Sequence, residues 1–113
     1  MTTIWHNPRC SKSRATLALL EENGVTPEVR RYLDDAPSEA EIRAVLDALN
    51  AAPIELMRRG EQAFKTLGLS KDSDDATLIA AMGTHPILIE RPIVIHKGRA
   101  RIGRPPESVL EIL

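Results

Sequence analysis

The sequence contains only one cysteine, Cys10, among its 113 residues. Without a second cysteine the chain can form neither an internal disulfide nor a metal site built from several thiolates, and we expect no metal. This pattern agrees with a reducing compartment, so we expect a cytoplasmic protein. The single thiol is either a small buried hydrophobe or a reactive group, and its sequence neighbours indicate which.

Long apolar runs and an excess of one charge are also absent. No run approaches the roughly 20 apolar residues that a membrane-spanning helix needs, and the first residues lack the basic segment and apolar stretch of a signal peptide. The 15 basic and 16 acidic side chains nearly cancel, so no overall field attracts nucleic acid or a membrane surface. With 42% hydrophobic residues, we expect one domain over residues 1–113, acting as a monomer without a nucleic-acid or membrane partner.

The first third of the chain has the pattern of a strand, a helix and a second strand. Residues 2–5 suit a buried strand, residues 11–23 carry the leucines and alanines of a helix that Gly24 closes, and residues 29–33 suit the second strand. Two strands separated by a helix usually pair in parallel. A turn over residues 34–37 follows.

The middle of the chain is predicted to be helical. Ser38 and Glu41 have the spacing of a capping box, ahead of apolar residues spaced i, i+3, i+4 and i+7 at Ile42, Val45, Leu46 and Leu49. Between residues 53 and 82 the helical pattern is broken into pieces over 54–57, 63–67 and 77–82. Glycines punctuate these pieces at Gly60, Gly68 and Gly83.

The last part of the chain predicts a hairpin and a helix. Residues 92–95 and 99–102 suit two antiparallel strands joined by a tight turn at Lys97-Gly98. A last helix opens at two prolines and presents one apolar stripe, formed by Val109, Leu110 and Leu113. The order βαβ, helices, ββα predicts an α/β fold with a small mixed sheet and a helical insertion between strands 2 and 3.

Cys10 lies where the first strand gives way to the first helix. The first N–H groups of a helix lack partners within it and carry the positive end of its dipole, which favours a thiolate and can hold an oxyanion. Such a position, with cationic neighbours, lowers a cysteine pKa from about 8.5 to roughly 3.5 to 7.5. We therefore predict that Cys10 is a nucleophile and that the first turn binds an anionic substrate through Ser11, Lys12, Ser13 and Arg14.

Four segments together resemble the glutaredoxin-coupled arsenate reductases. They are His6-Asn7-Pro8-Arg9-Cys10 with Ser13 and Arg14, then Leu56-Met57-Arg58-Arg59, then residues 85–94, and then Gly103-Arg104-Pro105. The four segments occur in the family's order from the first strand to the last helix, so the set is far more specific than any one segment. The compact match, including residues 101–107, is similar to the short paralogues of this family.

The resemblance implies a thioredoxin-like fold and the reduction of arsenate to arsenite in arsenic resistance. In the family, the cysteine that matches Cys10 attacks arsenate, and arginines that match Arg58, Arg91 and Arg104 bind the oxyanion and its covalent adduct. The histidine that matches His6 helps to hold the cysteine as a thiolate. Glutathione then adds to arsenic as a co-substrate, and glutaredoxin removes it as As(V) becomes As(III). No bound cofactor is implied.

The residue types also fit this chemistry independently of the resemblance. Guanidinium groups from distant parts of the chain can neutralise a tetrahedral oxyanion and the charge that develops as a hydroxyl leaves. Ser13 occupies the place of the second thiol in a Cys-x-x-Cys motif, so the resolving thiol must come from another molecule.

Since a cis proline lies beside the active thiol in thioredoxin-like folds, we predict that the Arg91–Pro92 bond is cis. Arg58 and Arg59 would point about 100° apart on a helix, so only one of them could face a pocket.

Other interpretations of single residues stay open. His6 could instead satisfy a backbone carbonyl at the end of a strand. The three arginines could be solvated surface charges. The basic run over residues 91–104 could be a docking face for glutaredoxin or only a solvated hairpin.

Two other functions are also compatible with the sequence. The protein could be a glutathione-dependent monothiol oxidoreductase that acts on mixed disulfides and not on arsenate. It could also be a non-enzymatic thioredoxin-like regulator that binds RNA polymerase. Regulators of that kind sense redox state through a Cys-x-x-Cys pair, and Ser13 argues against such a sensor.

Overall fold

Four short strands form a mixed sheet. The strand β1 (Thr2–Trp5) pairs in parallel with β2 (Glu28–Arg30) and antiparallel with β3 (Ile93–His96). The last strand, β4 (Arg99–Ile102), pairs antiparallel with β3, so the order across the sheet is β2-β1-β3-β4. The predicted parallel pairing of the first two strands is confirmed.

The computed structural model describes residues 1–113, which divide into two compact units. The first unit, residues 1–35 and 91–113, contains the sheet, the helix α1 (Ser11–Glu22) and a terminal 3₁₀-helix (Pro106–Ile112). The second unit, residues 36–90, is the predicted helical insertion between β2 and β3. It contains α2 (Glu39–Leu49), α3 (Gln62–Thr66), α4 (Asp75–Thr84) and short 3₁₀-helices at Pro53–Leu56 and Pro86–Leu88. The single domain predicted over residues 1–113 stays a prediction.

The core of the first unit joins the sheet to α1 and to the terminal 3₁₀-helix. Buried apolar side chains from these elements form one cluster, which consists of Ile4, Leu20, Val94, Val109 and Ile112. Burying an aliphatic side chain of this size contributes about 1.5 to 3 kcal/mol. The cluster therefore fixes α1 against the sheet, and with it the position of the helix N-terminus.

The second unit begins with the capping box predicted at Ser38 and Glu41. Oγ of Ser38 accepts the Glu41 N–H at 3.1 Å, and the Glu41 carboxylate accepts the Ser38 N–H at 2.9 Å. The α2 and α4 helices contact each other, and α2 buries Ile42, Val45 and Leu46. None of the helices in the protein combines the length and the hydrophobicity needed to cross a lipid bilayer.

The hairpin between β3 and β4 has the predicted tight turn. Lys97 and Gly98 both have positive φ, 50° and 78° respectively. This is the backbone combination that a two-residue type I′ turn requires, and glycine adopts it without a steric cost. The turn is therefore encoded locally in the sequence.

The second strand is shorter than predicted. It ends at Arg30 and not at residue 33, because the chain turns back and the N–H groups of Asp34 and Asp35 both bond to the carbonyl of Arg31 at 2.9 Å. Within this turn Tyr32 is buried and Leu33 is 43% exposed. The turn thus begins earlier than the predicted residues 34–37.

Two predictions about helices are wrong. The last helix is a 3₁₀-helix, whose three residues per turn place positions i and i+3 on one side. It buries Val109 and Ile112, whereas Leu110 and Leu113, two members of the predicted stripe, are 38% and 41% exposed. Gly83 does not end a helical piece but lies inside α4, which continues to Thr84.

Candidate active site

Cys10 is the N-cap residue of α1. Its backbone is extended, with φ −94° and ψ 123°, and the helix begins at the next residue, Ser11. The N–H of Cys10 donates to the carbonyl of Asn7 at 3.0 Å, which fixes the loop before the helix. The side chain is 9% exposed, so its sulfur lies mostly buried at the positive end of the helix dipole.

Two of the three predicted arginines act on Cys10. Nη2 of Arg104 donates to Sγ of Cys10 across 3.8 Å, and Nε of Arg104 donates to the backbone carbonyl of Arg91 at 2.9 Å. The side chain of Arg91 acts on the same thiol through its charge and through a hydrogen bond. Arg91, which is partly buried, and Arg104, which is exposed, therefore converge on one sulfur atom.

The backbone around these two arginines is tightly packed. The Arg91–Pro92 bond is cis, as predicted, and the Arg104–Pro105 bond is also cis, which was not predicted. A Cβ atom on Gly103 would lie 2.5 Å from Oγ1 of Thr16 and 2.7 Å from Cγ of Pro92. Only glycine fits at position 103, so α1 and the two arginine-bearing segments approach each other closely here.

The pKa of the Cys10 thiol is lowered. Burial alone would raise this pKa, because it disfavours the charged form of the thiol. The backbone N–H of Ser13, the charge of Arg91, the backbone N–H of Lys12 and the hydrogen bond from Arg91 together outweigh burial. Each of these groups favours a thiolate, the form of cysteine that acts as a nucleophile.

His6 is joined to the cysteine loop through Ser13. Its ring is buried, and Nδ1 lies 2.7 Å from Oγ of Ser13, which also accepts the N–H of Asn7 at 3.0 Å. Burial lowers the pKa of His6, and the charges of Arg31 and Arg14 lower it further, so the ring is neutral at neutral pH. Nδ1 thus bonds to a hydroxyl and not to the backbone carbonyl considered above. The predicted help of His6 in holding the thiolate stays a prediction.

The predicted anion-binding residues of the first turn have different surroundings. The side chains of Ser11 and Lys12 are exposed, whereas Ser13 is fully buried and faces the sulfur with its backbone N–H. Nη1 of Arg14 donates to the carbonyl of Pro8 at 2.8 Å, so this guanidinium supports the loop. Binding of a substrate by these four residues stays a prediction.

The third predicted arginine, Arg58, lies in the second unit. Its Nη1 is 3.5 Å from the carboxylate of Glu61. The segment is not helical, because Met57 forms an isolated antiparallel bridge with Ile89. The expectation that Arg58 and Arg59 point about 100° apart on a helix is therefore wrong. The part of Arg58 in binding an oxyanion stays a prediction.

A comparison with protein families covers almost the whole chain. The family model described as the ArsC family matches residues 5–112. The chain belongs to the ArsC family. The matched range includes Cys10, Arg58, Arg91 and Arg104, together with His6.

Two related sequences and one solved structure are similar to this ArsC chain over nearly their full length. YfgD, an uncharacterised protein of Escherichia coli strain K12, is 55% identical over 113 residues, which are 97% of this chain and 94% of the relative. An arsenate reductase of Neisseria meningitidis serogroup A is 45% identical, with 97% and 96% covered. The solved structure of an arsenate reductase from Vibrio cholerae is 50% identical with a TM-score of 0.95, covering 99% of this chain and 97% of that one. The predicted thioredoxin-like α/β fold is confirmed.

Asn7 is a residue of this ArsC site that the sequence analysis missed. Its carbonyl accepts the Cys10 N–H, its side-chain Oδ1 accepts the Arg9 N–H at 3.0 Å, and its own N–H donates to Ser13. The signal for this role was present, because asparagine side chains readily bond to the backbone two residues further on and stabilise turns. Asn7 thus shapes the loop that presents the thiol.

Proposed function

We propose that this ArsC-family protein reduces arsenate to arsenite, with electrons supplied by glutathione and glutaredoxin. The observation that carries the proposal is the environment of Cys10, whose sulfur receives hydrogen bonds from Arg104 and Arg91 at the N-terminus of α1. The full-length similarity to the arsenate reductases of Neisseria meningitidis and Vibrio cholerae supports the same reaction. We further propose a cytoplasmic monomer that acts in arsenic resistance without a bound cofactor.

The first step is an attack of the Cys10 thiolate on arsenic. A bond forms between Sγ and arsenic, and a hydroxyl of arsenate takes up a proton and leaves as water, with no change of oxidation state. Arg91 and Arg104 neutralise the oxyanion and the charge that builds on the leaving oxygen. The exposed side chains of Ser11 and Lys12, in the first turn of α1, hold further arsenate oxygens.

Reduction follows in two further steps. The sulfur of glutathione replaces another hydroxyl on arsenic, which leaves as water. The thiolate of glutaredoxin then attacks the glutathione sulfur, so that a mixed disulfide forms and the bonding electron pair stays on arsenic, which becomes As(III). Hydrolysis of the remaining bond to Cys10 releases arsenite and restores the thiolate. Because Ser13 stands where a Cys-x-x-Cys motif has its second cysteine, the chain has no resolving thiol of its own. In this scheme glutathione and glutaredoxin supply the other thiols.

A coupled assay tests the proposal. NADPH oxidation is followed with glutathione, glutaredoxin and glutathione reductase present, with and without arsenate. We expect arsenate-dependent oxidation in the natural protein and none in Cys10→Ser. If arsenate has no effect while a mixed disulfide is still reduced, the monothiol oxidoreductase replaces the proposal. If neither substrate turns over and the protein captures RNA polymerase, the regulator replaces it.

A further inference from the structure

A cleft of about 260 Å³ opens beside the loop that precedes Cys10. One side is formed by the loop after β1, including His6, Pro8 and Arg9, and the other by the turn after β2, including Arg31, Leu33 and Asp34. Four of these residues, namely Arg9, Arg31, Leu33 and Asp34, have no part in the proposed chemistry at arsenic. The volume lies just below the roughly 300 to 1,000 Å³ that is usual for small-molecule sites.

The cleft carries two positive groups and one negative group. Arg9 is exposed, and Nε of Arg31 is 3.6 Å from Oδ2 of Asp34, with the two side chains 62% and 72% exposed. An ion pair this exposed is worth at most about 1 kcal/mol. A ligand with charges of both signs can therefore open the pair at little cost and engage both partners.

The cleft also has apolar surface. Leu33 is 43% exposed although it is a large aliphatic residue, and Pro8 lies on the opposite side. His6 lines the cleft as well, with Nδ1 held by Ser13. The lining thus offers two guanidinium groups, one carboxylate and an aliphatic wall, which is a pattern suited to a short zwitterionic peptide.

We propose that this cleft binds glutathione, and this inference rests on the proposed function, which makes glutathione a co-substrate. Glutathione has two carboxylates, which Arg9 and Arg31 can bind, and one ammonium group, which Asp34 can bind. Arg9 directly precedes Cys10, and consecutive Cα atoms are about 3.8 Å apart, so a tripeptide held by Arg9 can extend from the cleft towards the nucleophile. Its sulfur is then within reach of arsenic on Cys10, where it replaces a hydroxyl that leaves as water.

A binding experiment tests this site without any turnover. S-methylglutathione, which cannot react at sulfur, is titrated into the ¹⁵N-labelled full chain. We expect amide shifts in the two segments that line the cleft, and a Kd raised about fivefold or more in Arg31→Gln and in Asp34→Asn. Arg43→Gln, an exposed arginine on α2, is the matched control and binds like the natural protein. Shifts elsewhere, or unchanged binding in both cleft variants, would overturn the proposal.

Kinetics separate this inference from the proposed function. With glutathione as the thiol, the cleft variants should have a raised KM for glutathione and an unchanged kcat at saturation, whereas with 2-mercaptoethanol, which has no carboxylates, they should match the natural protein. If the natural protein does not reduce arsenate but S-methylglutathione still binds in an Arg31-dependent way, the proposed function fails and the cleft stands. If arsenate is reduced normally and neither variant alters the KM for glutathione, the cleft assignment fails alone.

Discussion

Arg104 bonds at once to the sulfur of Cys10 and to the backbone of Arg91. Its Nη2 lies 3.8 Å from Sγ of Cys10, while its Nε lies 2.9 Å from the carbonyl oxygen of Arg91. Because the guanidinium is a rigid planar fork, the second bond sets the direction of the first. The positive charge at the thiol is thus positioned by the protein before any substrate arrives, which reduces the cost of ordering it during the reaction.

Replacing Arg104 should weaken the chemical step. We expect Arg104→Ala to lower kcat/KM for arsenate on the order of 100-fold, since a preorganised donor at the developing charge is lost. Arg104→Lys keeps the charge but cannot bond to both the sulfur and the Arg91 carbonyl, so it should recover only part of the activity. The coupled NADPH assay measures both variants, with Arg43→Gln as the control. Full activity in Arg104→Lys would show that the forked geometry is unimportant.

Gly103→Ala should destabilise the fold. The new Cβ would lie 2.5 Å from Oγ1 of Thr16 and 2.7 Å from Cγ of Pro92, so the backbone or Thr16 must shift. Overpacking of this kind costs about 1 to 3 kcal/mol in the free energy of unfolding, measured by urea denaturation.

Gly60→Ala is the matched control for this substitution. Its Cβ would meet no atom within 4 Å, so we expect a change within about 0.5 kcal/mol. Equal stability of the two alanine variants would contradict the close packing of α1 against the arginine-bearing segments.

The lowered pKa of His6 makes the stability depend on pH. Burial is the main cause of the lowering, followed by the charges of Arg31 and Arg14, and an unfolded histidine titrates near 6.5. Between the lowered folded pKa and about 6.5 the unfolded chain binds more protons, so the free energy of unfolding rises with pH across this window. His6→Asn should flatten this rise, as measured by urea unfolding from about pH 5 to pH 7. Parallel pH profiles for the two proteins would contradict the buried, neutral histidine.

Most of the features predicted correctly from the sequence are those that neighbouring residues encode, whereas the cis Arg91–Pro92 bond was predicted from the family resemblance. The capping box of Ser38 and Glu41 and the turn at Lys97-Gly98 depend on backbone geometry within four residues. The position of Cys10 at the start of α1 follows from the same local logic. Thus the capping box, the hairpin turn and the position of the thiol at a helix N-terminus could be predicted before any tertiary contact was known.

The features that were missed depend on contacts between distant segments. The burial of Tyr32 and the burial of Val109 and Ile112 by the last helix follow from how the chain packs in the first unit. The cleft between Arg9 and Arg31 needs two loops that are brought together by the pairing of β1 and β2. The pattern of apolar residues along the sequence does not show that these two loops are neighbours, because their proximity depends on the pairing of strands in the sheet.

The pH dependence of Cys10 alkylation tests the central claim most directly. The rate of reaction with iodoacetamide is measured across pH, with and without arsenate, in the natural protein and in Arg91→Gln. We predict a midpoint below the value of about 8.5 of an ordinary thiol, a higher midpoint in Arg91→Gln because a cation beside the thiolate is lost, and slower alkylation with arsenate present. A midpoint at the ordinary value, unmoved by either the substitution or arsenate, would contradict a thiolate held among arginines for an oxyanion.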